Sequence, residues 1–208
     1  MALAGDSFDR RIIEQVVAPR LGQGSHYRAQ MGANRMPIPA WIFHRLRAWH
    51  HLSFLKSPEA MRSLREVHQG SEDPTAIGWL IHLVQADLGH ALYASVERTK
   101  AALSRAESAE FVFCDGPIDI RTVIARADFE VWIAPELAQI AASVDGLLAN
   151  AGIAPSDVDA VFLTGGTAFV PAVRSWFARR FGADRLRGGN EMTSVALGLA
   201  LRAQELGL

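Results

Sequence analysis

The chain has 208 residues, half of them hydrophobic, with 21 Lys and Arg set against 22 Asp and Glu for a formal net charge of −1. That size suits one domain or two closely joined subdomains with ample core, and the balanced charge provides no global field for nucleic acid or an anionic membrane. A single cysteine, Cys114, excludes an internal disulfide framework and fits a reducing compartment. No apolar run reaches membrane-spanning length, and the N-terminal residues lack the basic and long apolar regions of a signal peptide, so a soluble cytoplasmic protein is expected.

Asp6 or Ser7 can cap a first helix whose apolar stripe is Phe8, Ile12, Ile13, Val16 and Val17, with Pro19 ending it. Residues 21–39, rich in Gly and Pro, read as an ordered loop or linker. Residues 40–55 are dense in aromatics, with Trp41, Phe43, Trp49 and Phe54 beside His44, His50 and His51. No His-x-x-x-His spacing occurs among them, so a packed helix is expected rather than a metal site. Ser57-Pro58-Glu59 has the composition of a helix cap and first turn, for a helix running to about Gln69. Asp73-Pro74 opens the clearest helical pattern, in which Ile77, Leu80, Ile81, Val84, Leu88, Leu92 and Val96 recur at three or four. Beyond Val96, the polar Glu97, Lys100 and Ser104 continue the side the apolar stripe had held, within roughly 60° of one another on a helical wheel. Two readings stay open: a solvated helix end, or a cleft lined by donors and an acceptor.

Phe111–Cys114 and Ile118–Arg121 read as strands joined at Asp115-Gly116, with Cys114 a small strand hydrophobe. A long helix then runs from near Asp128 to the Asn150-Ala151-Gly152 stop, and Pro135 should kink it or begin its main body. Val158–Thr164 has the length and composition of a strand buried on both faces. Gly165-Gly166-Thr167 follows, and Thr167 is placed to cap a helix from about Val170 to Phe181 with Pro171 in its first turn. Strand, Gly-Gly-Thr, helix is an arrangement suited to a phosphate or nucleotide, because glycines let a ligand approach the backbone and helix N-termini carry free N–H groups. Most such turns only redirect the chain. Residues 185–187 read as a short edge strand, and Gly188-Gly189-Asn190 opens a last helix with Met192, Val195, Ala196, Leu199, Ala203 and Leu206 on one side.

Taken in order, these pieces resemble part of the seventy-kilodalton heat-shock chaperone family, the DnaK type. Gly5-Asp6-Ser7-Phe8-Asp9-Arg10-Arg11 resembles the family's Gly-Gly-x-Asp-Phe-Asp segment, and Glu97-Arg98-Thr99-Lys100-Ala101-Ala102-Leu103-Ser104 its Glu-x-x-Lys-x-x-Leu-Ser helix. Ile124-Ala125-Arg126-Ala127-Asp128-Phe129-Glu130 resembles Ile-Thr-Arg-x-x-Phe-Glu, and residues 162–171 resemble Val-Gly-Gly-Ser-x-x-x-Pro. Ser194-Val195-Ala196-Leu197-Gly198-Leu199-Ala200 resembles Ala-Val-Ala-x-Gly-Ala-Ala. The longer segment at residues 21–85, with its Pro-Ala-Trp-Ile and Trp-His-His-Leu-Ser-Phe-Leu-Lys runs, is similar to the YegD-like branch.

The resemblance implies an α/β chain: the second lobe of an actin-like (ribonuclease H-like) ATPase. Residues 1–18 and 118–208 would form a core subdomain with a mixed sheet, and residues 19–117 an enlarged, mainly helical subdomain with a β-hairpin strand. It also implies ATP or ADP as ligand, with Mg in the intact two-lobed protein. Glu97, Lys100 and Ser104 match the family's ribose and adenine contacts, and Gly165, Gly166 and Thr167 the loop under the nucleotide. Ala101 and Phe169 occupy the positions of two arginines that sandwich adenine in the family, so Phe169 is a candidate one-sided stack; Met192 stands where the family has an acidic residue. The phosphate loops and catalytic lysine belong to family segments with no match here, and Asp87-Leu88-Gly89 is a decoy expected inside a helix. A piece of a longer protein is therefore expected, without ATP hydrolysis by itself. Its expected partners are the first lobe and a co-chaperone or client protein, with no nucleic acid, membrane, metal or catalytic residue of its own. The alternatives are an interaction module using the aromatic residues 40–55, with no nucleotide turnover, and half of another actin-like enzyme such as a sugar kinase.

Overall fold

A computed structural model describes residues 5–29, 34–47, 49–188, 198–199 and 202–204. The chain divides into two compact units, one of Asp6–Trp132 and one formed by the residues from Ile133 onward with the first five.

The first unit opens with α1 (Gly5–Ile12), which widens into a π-helical turn (Ile13–Val17) and continues as α2 (Ala18–Arg20). Pro19 therefore does not end the helix as expected. A proline ring collides with the carbonyl four residues back in a regular helix, and the wide turn just before it, closed by Ala18 N–H donating to the Ile13 carbonyl, makes room.

Residues 21–39, expected to be a loop, contain an antiparallel pair, β1 (His26–Arg28) and β2 (Arg35–Pro37). Its outer partner is the segment just after a helix: Glu72 N–H donates to the His26 carbonyl, and Arg35 grips the Glu72 carboxylate at 2.7 and 2.9 Å. Gly70 permits this approach, since a Cβ there would lie 1.9 Å from the Arg28 carbonyl oxygen. The aromatic segment forms α3 (Ala40–Leu46) and a 3₁₀ stretch (Trp49–Lys56). Ile42, Phe43, Leu46, Leu52 and Leu55 point into the core, whereas Trp41 and Phe54 are exposed.

Helix α4 (Pro58–Gly70) and helix α5 (Pro74–Gln85) start where their caps predict: the Ser57 and Asp73 side chains accept from the amides of Ala60 and Ala76 at 3.2 and 3.0 Å. The single long helix expected beyond Asp73 is two, α5 and α6 (Gly89–Leu103). They break at Asp87, whose φ of 58° lies in the left-handed region. Asp87-Leu88-Gly89 thus sits at a helix break rather than inside a helix, and Lys56 pairs with the Asp87 carboxylate at 2.8 Å.

Strands β3 (Ser108–Asp115) and β4 (Ile118–Ala125) pair antiparallel over eight positions, and β3 packs on α6. The register pairs Asp115 with Ile118, so the turn is Gly116-Pro117, one residue later than expected. Gly116 has φ +52°, the positive φ that a two-residue hairpin turn needs at its first central position. Helix α7 (Arg126–Trp132) completes the unit, with Phe129 edge-on to Phe8. The subdomain boundary expected at residue 118 would cut this fully paired hairpin; α1 and β4 belong instead to the unit of Asp6–Trp132.

In the second unit Pro135 starts α8 (Ala134–Ala151), and Gly152 closes it in the left-handed conformation. The next strand is short: β5 (Val161–Phe162), parallel to β6 (Leu186–Arg187), in a sheet of two among the described residues. The expectation that Val158–Thr164 is buried on both faces is not met, and Phe162 is 75% exposed. A strand gains burial on both faces only with layers above and below it, and β5 has one hydrogen-bonded neighbour here. Helix α9 (Pro171–Phe181) joins β5 to β6. Most of the expected last helix lies outside the described residues; residues 198–199 and 202–204 are helical.

Candidate functional site

The sequence-selected residues fall into two groups, one in each unit. In the first unit Glu97, Lys100 and Ser104 lie on the C-terminal turns of α6 and at its cap. Glu97 is exposed, while Lys100 and Ser104 are half-buried. The Ser104 hydroxyl donates to the Lys100 carbonyl at 3.1 Å, which turns it back along the helix. The Lys100 ammonium sits 2.7 and 2.8 Å from the two carboxylate oxygens of Asp9 on α1, a partner 91 residues away.

Asp9 was not among the candidates, although a signal for it exists. It lies on one helical face with Ile12, Ile13 and Val16, so a carboxylate occupies a position in an apolar stripe. A charge there needs a buried partner. Burial pushes the Asp9 carboxyl above its ordinary 3.8, more than the attraction and hydrogen bond of Lys100 pull it down, and Glu97 and Asp6 add to the upward push.

In the second unit Gly165 has φ +78° and ψ 170°, backbone that favours glycine. Gly166 is different. Its φ is not positive, and a Cβ added there would meet none of the described residues within 4 Å. Among the described residues, neither backbone nor packing demands glycine at 166. Thr167 does not cap α9. It lies in a 3₁₀ turn (Gly166–Phe169), and the cap position is Val170, which has no side-chain acceptor; the Thr167 carbonyl instead accepts from the Val170 amide at 3.1 Å. Phe169 is 42% exposed, so it is not the core phenylalanine that its apolar nature alone would suggest. Ala101, on α6, is exposed.

No group of three His, Cys, Asp or Glu among the described residues could hold a metal. Cys114 is exposed rather than packed as a strand hydrophobe; its thiol donates to Asp119 at 2.9 Å, and that bond raises the thiol's pKa, opposite to what a nucleophile needs. The reason is its register: Cys114 alternates with the inward Phe111 and Phe113.

Helices and small sheets together make the described residues a mixed α/β chain. A family model described as "Hsp70 protein" matches residues 86–207, more than half of the chain, and the chain belongs to the Hsp70 family. Among curated proteins, the chaperone protein DnaK from two strains of Thermus thermophilus is 34% identical over 87 residues. The matched stretch is 42% of this chain and 14% of each relative's length.

Proposed function

We propose that this chain is the second, nucleotide-contacting lobe of an Hsp70-type chaperone ATPase of the YegD-like branch, with ATP or ADP as ligand. Glu97, Lys100 and Ser104 supply an acceptor and donors suited to ribose hydroxyls and the base. The Gly165-Gly166-Thr167 turn lets the ligand approach the backbone, and Phe169 offers one face to adenine. The first lobe of the complete protein is the partner that contributes the phosphate loops and Mg, and hydrolysis depends on it because phosphoryl transfer rests on positioning and charge stabilisation. Co-chaperones and client proteins are proposed as further partners.

The observation that carries this reading is Gly166, a glycine with no positive φ and no described residue within 4 Å of an added Cβ, in a segment that the Hsp70 family model covers. The test is calorimetric titration of the chain with ADP. Weak, saturable binding is expected, with Kd of about 0.1–1 mM, roughly −4 to −5.5 kcal/mol. Gly166→Leu should melt like the wild type and bind at least about tenfold more weakly. No saturable heat from the wild type at millimolar ADP would overturn the reading.

A further inference from the structure

We infer that Asp9 is a positioning residue for nucleotide binding: it holds the Lys100 ammonium at a fixed point on the C-terminal turns of α6. The inference rests on the nucleotide reading above and adds a residue from a different helix to it.

Four observations carry it. Both Asp9 oxygens lie within 2.8 Å of the Lys100 ammonium, so the carboxylate is committed to that one cation. The pair is asymmetric in access: the Asp9 side chain is 5% exposed and that of Lys100 14%. The Lys100 side chain is thus the more accessible of the two, and the Asp9 Oδ1 atom is sealed from solvent. Asp9 is itself immobilised, because its neighbours Phe8 and Ile12 on α1 are fully buried and Phe8 packs edge-on against Phe129. Glu97 and Ser104, the other candidate ligand groups, lie on the same side of α6 as Lys100.

The physical argument concerns entropy and cost. A lysine ammonium is a point charge on a four-carbon stem with three donors, and ordering that stem at the moment of binding lowers affinity. Asp9 orders it beforehand and leaves a donor over. Stability alone is a poor reason to keep such a pair, since a buried ion pair is often replaceable by apolar residues without loss. A preset ammonium is a reason that packing cannot replace.

The test is a double-mutant cycle on ADP affinity, measured by calorimetry on the whole chain well below the melting temperature. Lys100→Met should weaken ADP about tenfold, Asp9→Asn by a similar factor, and the double variant no further, whereas independent effects would multiply to about a hundredfold. Asp9→Glu, which keeps the charge, should recover part of the loss. If Asp9→Asn fails to fold with Lys100 left unpaired, the exchange Asp9→Lys with Lys100→Asp keeps an ion pair and moves the ammonium to α1. That variant should melt near the wild type and still bind ADP as poorly as Lys100→Met. Three results overturn the inference. Asp9→Asn with a lowered melting temperature and unchanged ADP affinity makes the pair a structural tie only, and the nucleotide reading survives. The exchanged variant binding like the wild type does the same. A wild type that binds no ADP removes the nucleotide reading first, and this inference with it.

Discussion

The two units use similar hydrophobic sequence to different ends. In the unit of Asp6–Trp132, Phe8, Ile42, Leu46, Leu55, Leu64, Ile77, Leu80, Phe111 and Phe129 are all but inaccessible. In the other unit the eighteen residues of α8 bury only Glu136, Leu147 is exposed, and β5 presents Phe162 to solvent. Helix α8 is no less apolar than α4, whose Ala60, Met61, Leu64 and Val67 are buried. An apolar face becomes core only when a second layer covers it. The helices α4, α5 and α6 and the β3–β4 hairpin provide such layers for one another, whereas the two-residue strands β5 and β6 provide little.

The largest effect that would sharpen this contrast comes from a matched pair of truncations. Phe111→Ala should cost about 3–5 kcal/mol by leaving a cavity, and Phe162→Ala less than about 0.5 kcal/mol, as for exposed sites. Urea unfolding of both variants checks it, and equal losses would break the contrast. The glycines give a second pair. Gly70→Ala drives a methyl into the Arg28 carbonyl and should destabilise by about 1–3 kcal/mol as an overpacked site does. Gly166→Ala, with no described residue within 4 Å of the added Cβ, should leave the melting temperature within about a degree or two of the wild type.

Next in size is Phe169→Ala. Stacking on an aromatic face is worth about 1–3 kcal/mol per base, so on the proposed nucleotide reading ATP binding by a two-lobed protein should weaken about ten- to a hundredfold, with little change in melting because Phe169 is already half-exposed. Unchanged affinity with a large drop in melting temperature would remove it from the site.

The smallest effect is a pH dependence confined to the first unit. Burial raises the Asp9 carboxyl above 3.8. In the window just above that value the folded chain holds more protons than the unfolded one, so the stability associated with this group is fully present below it and declines as pH rises through the folded pKa. The wild type should lose stability relative to Asp9→Asn as pH rises from about 4, the reverse of an ordinary surface-paired carboxylate. Chemical denaturation of both proteins across that range measures the slope, and a wild type that gains stability relative to Asp9→Asn as pH rises would contradict the direction.

Local chemistry explains what was legible in advance. Ser57-Pro58 and Asp73-Pro74 mark helix starts because a side-chain oxygen and a missing amide solve the end problem of a helix within four residues. Pro135 and Gly152 frame α8 for the same kind of reason. The strands at Phe111 and Ile118, and the helix from Pro171 to Phe181, carry their own periodicity. Helical geometry places Glu97, Lys100 and Ser104 on one side of α6, and Gly165 takes a backbone that few other residues tolerate.

Tertiary structure decided the rest, since each remaining feature depends on a partner remote in sequence. The β1–β2 pair exists because Glu72 and the end of α4 complete it, and no pattern within residues 21–39 announces that. The break at Asp87 interrupts a stripe that runs on without a flaw in sequence. Burial of β5 was expected from its composition, but composition does not say how many layers will cover a strand. Asp9 stands out in sequence as a carboxylate in an apolar stripe, but it meets Lys100 only because α1 and α6 pack in one unit. A sequence determines what each segment can bury or cap by itself; which groups meet depends on contacts whose energies arise only once distant segments share a core.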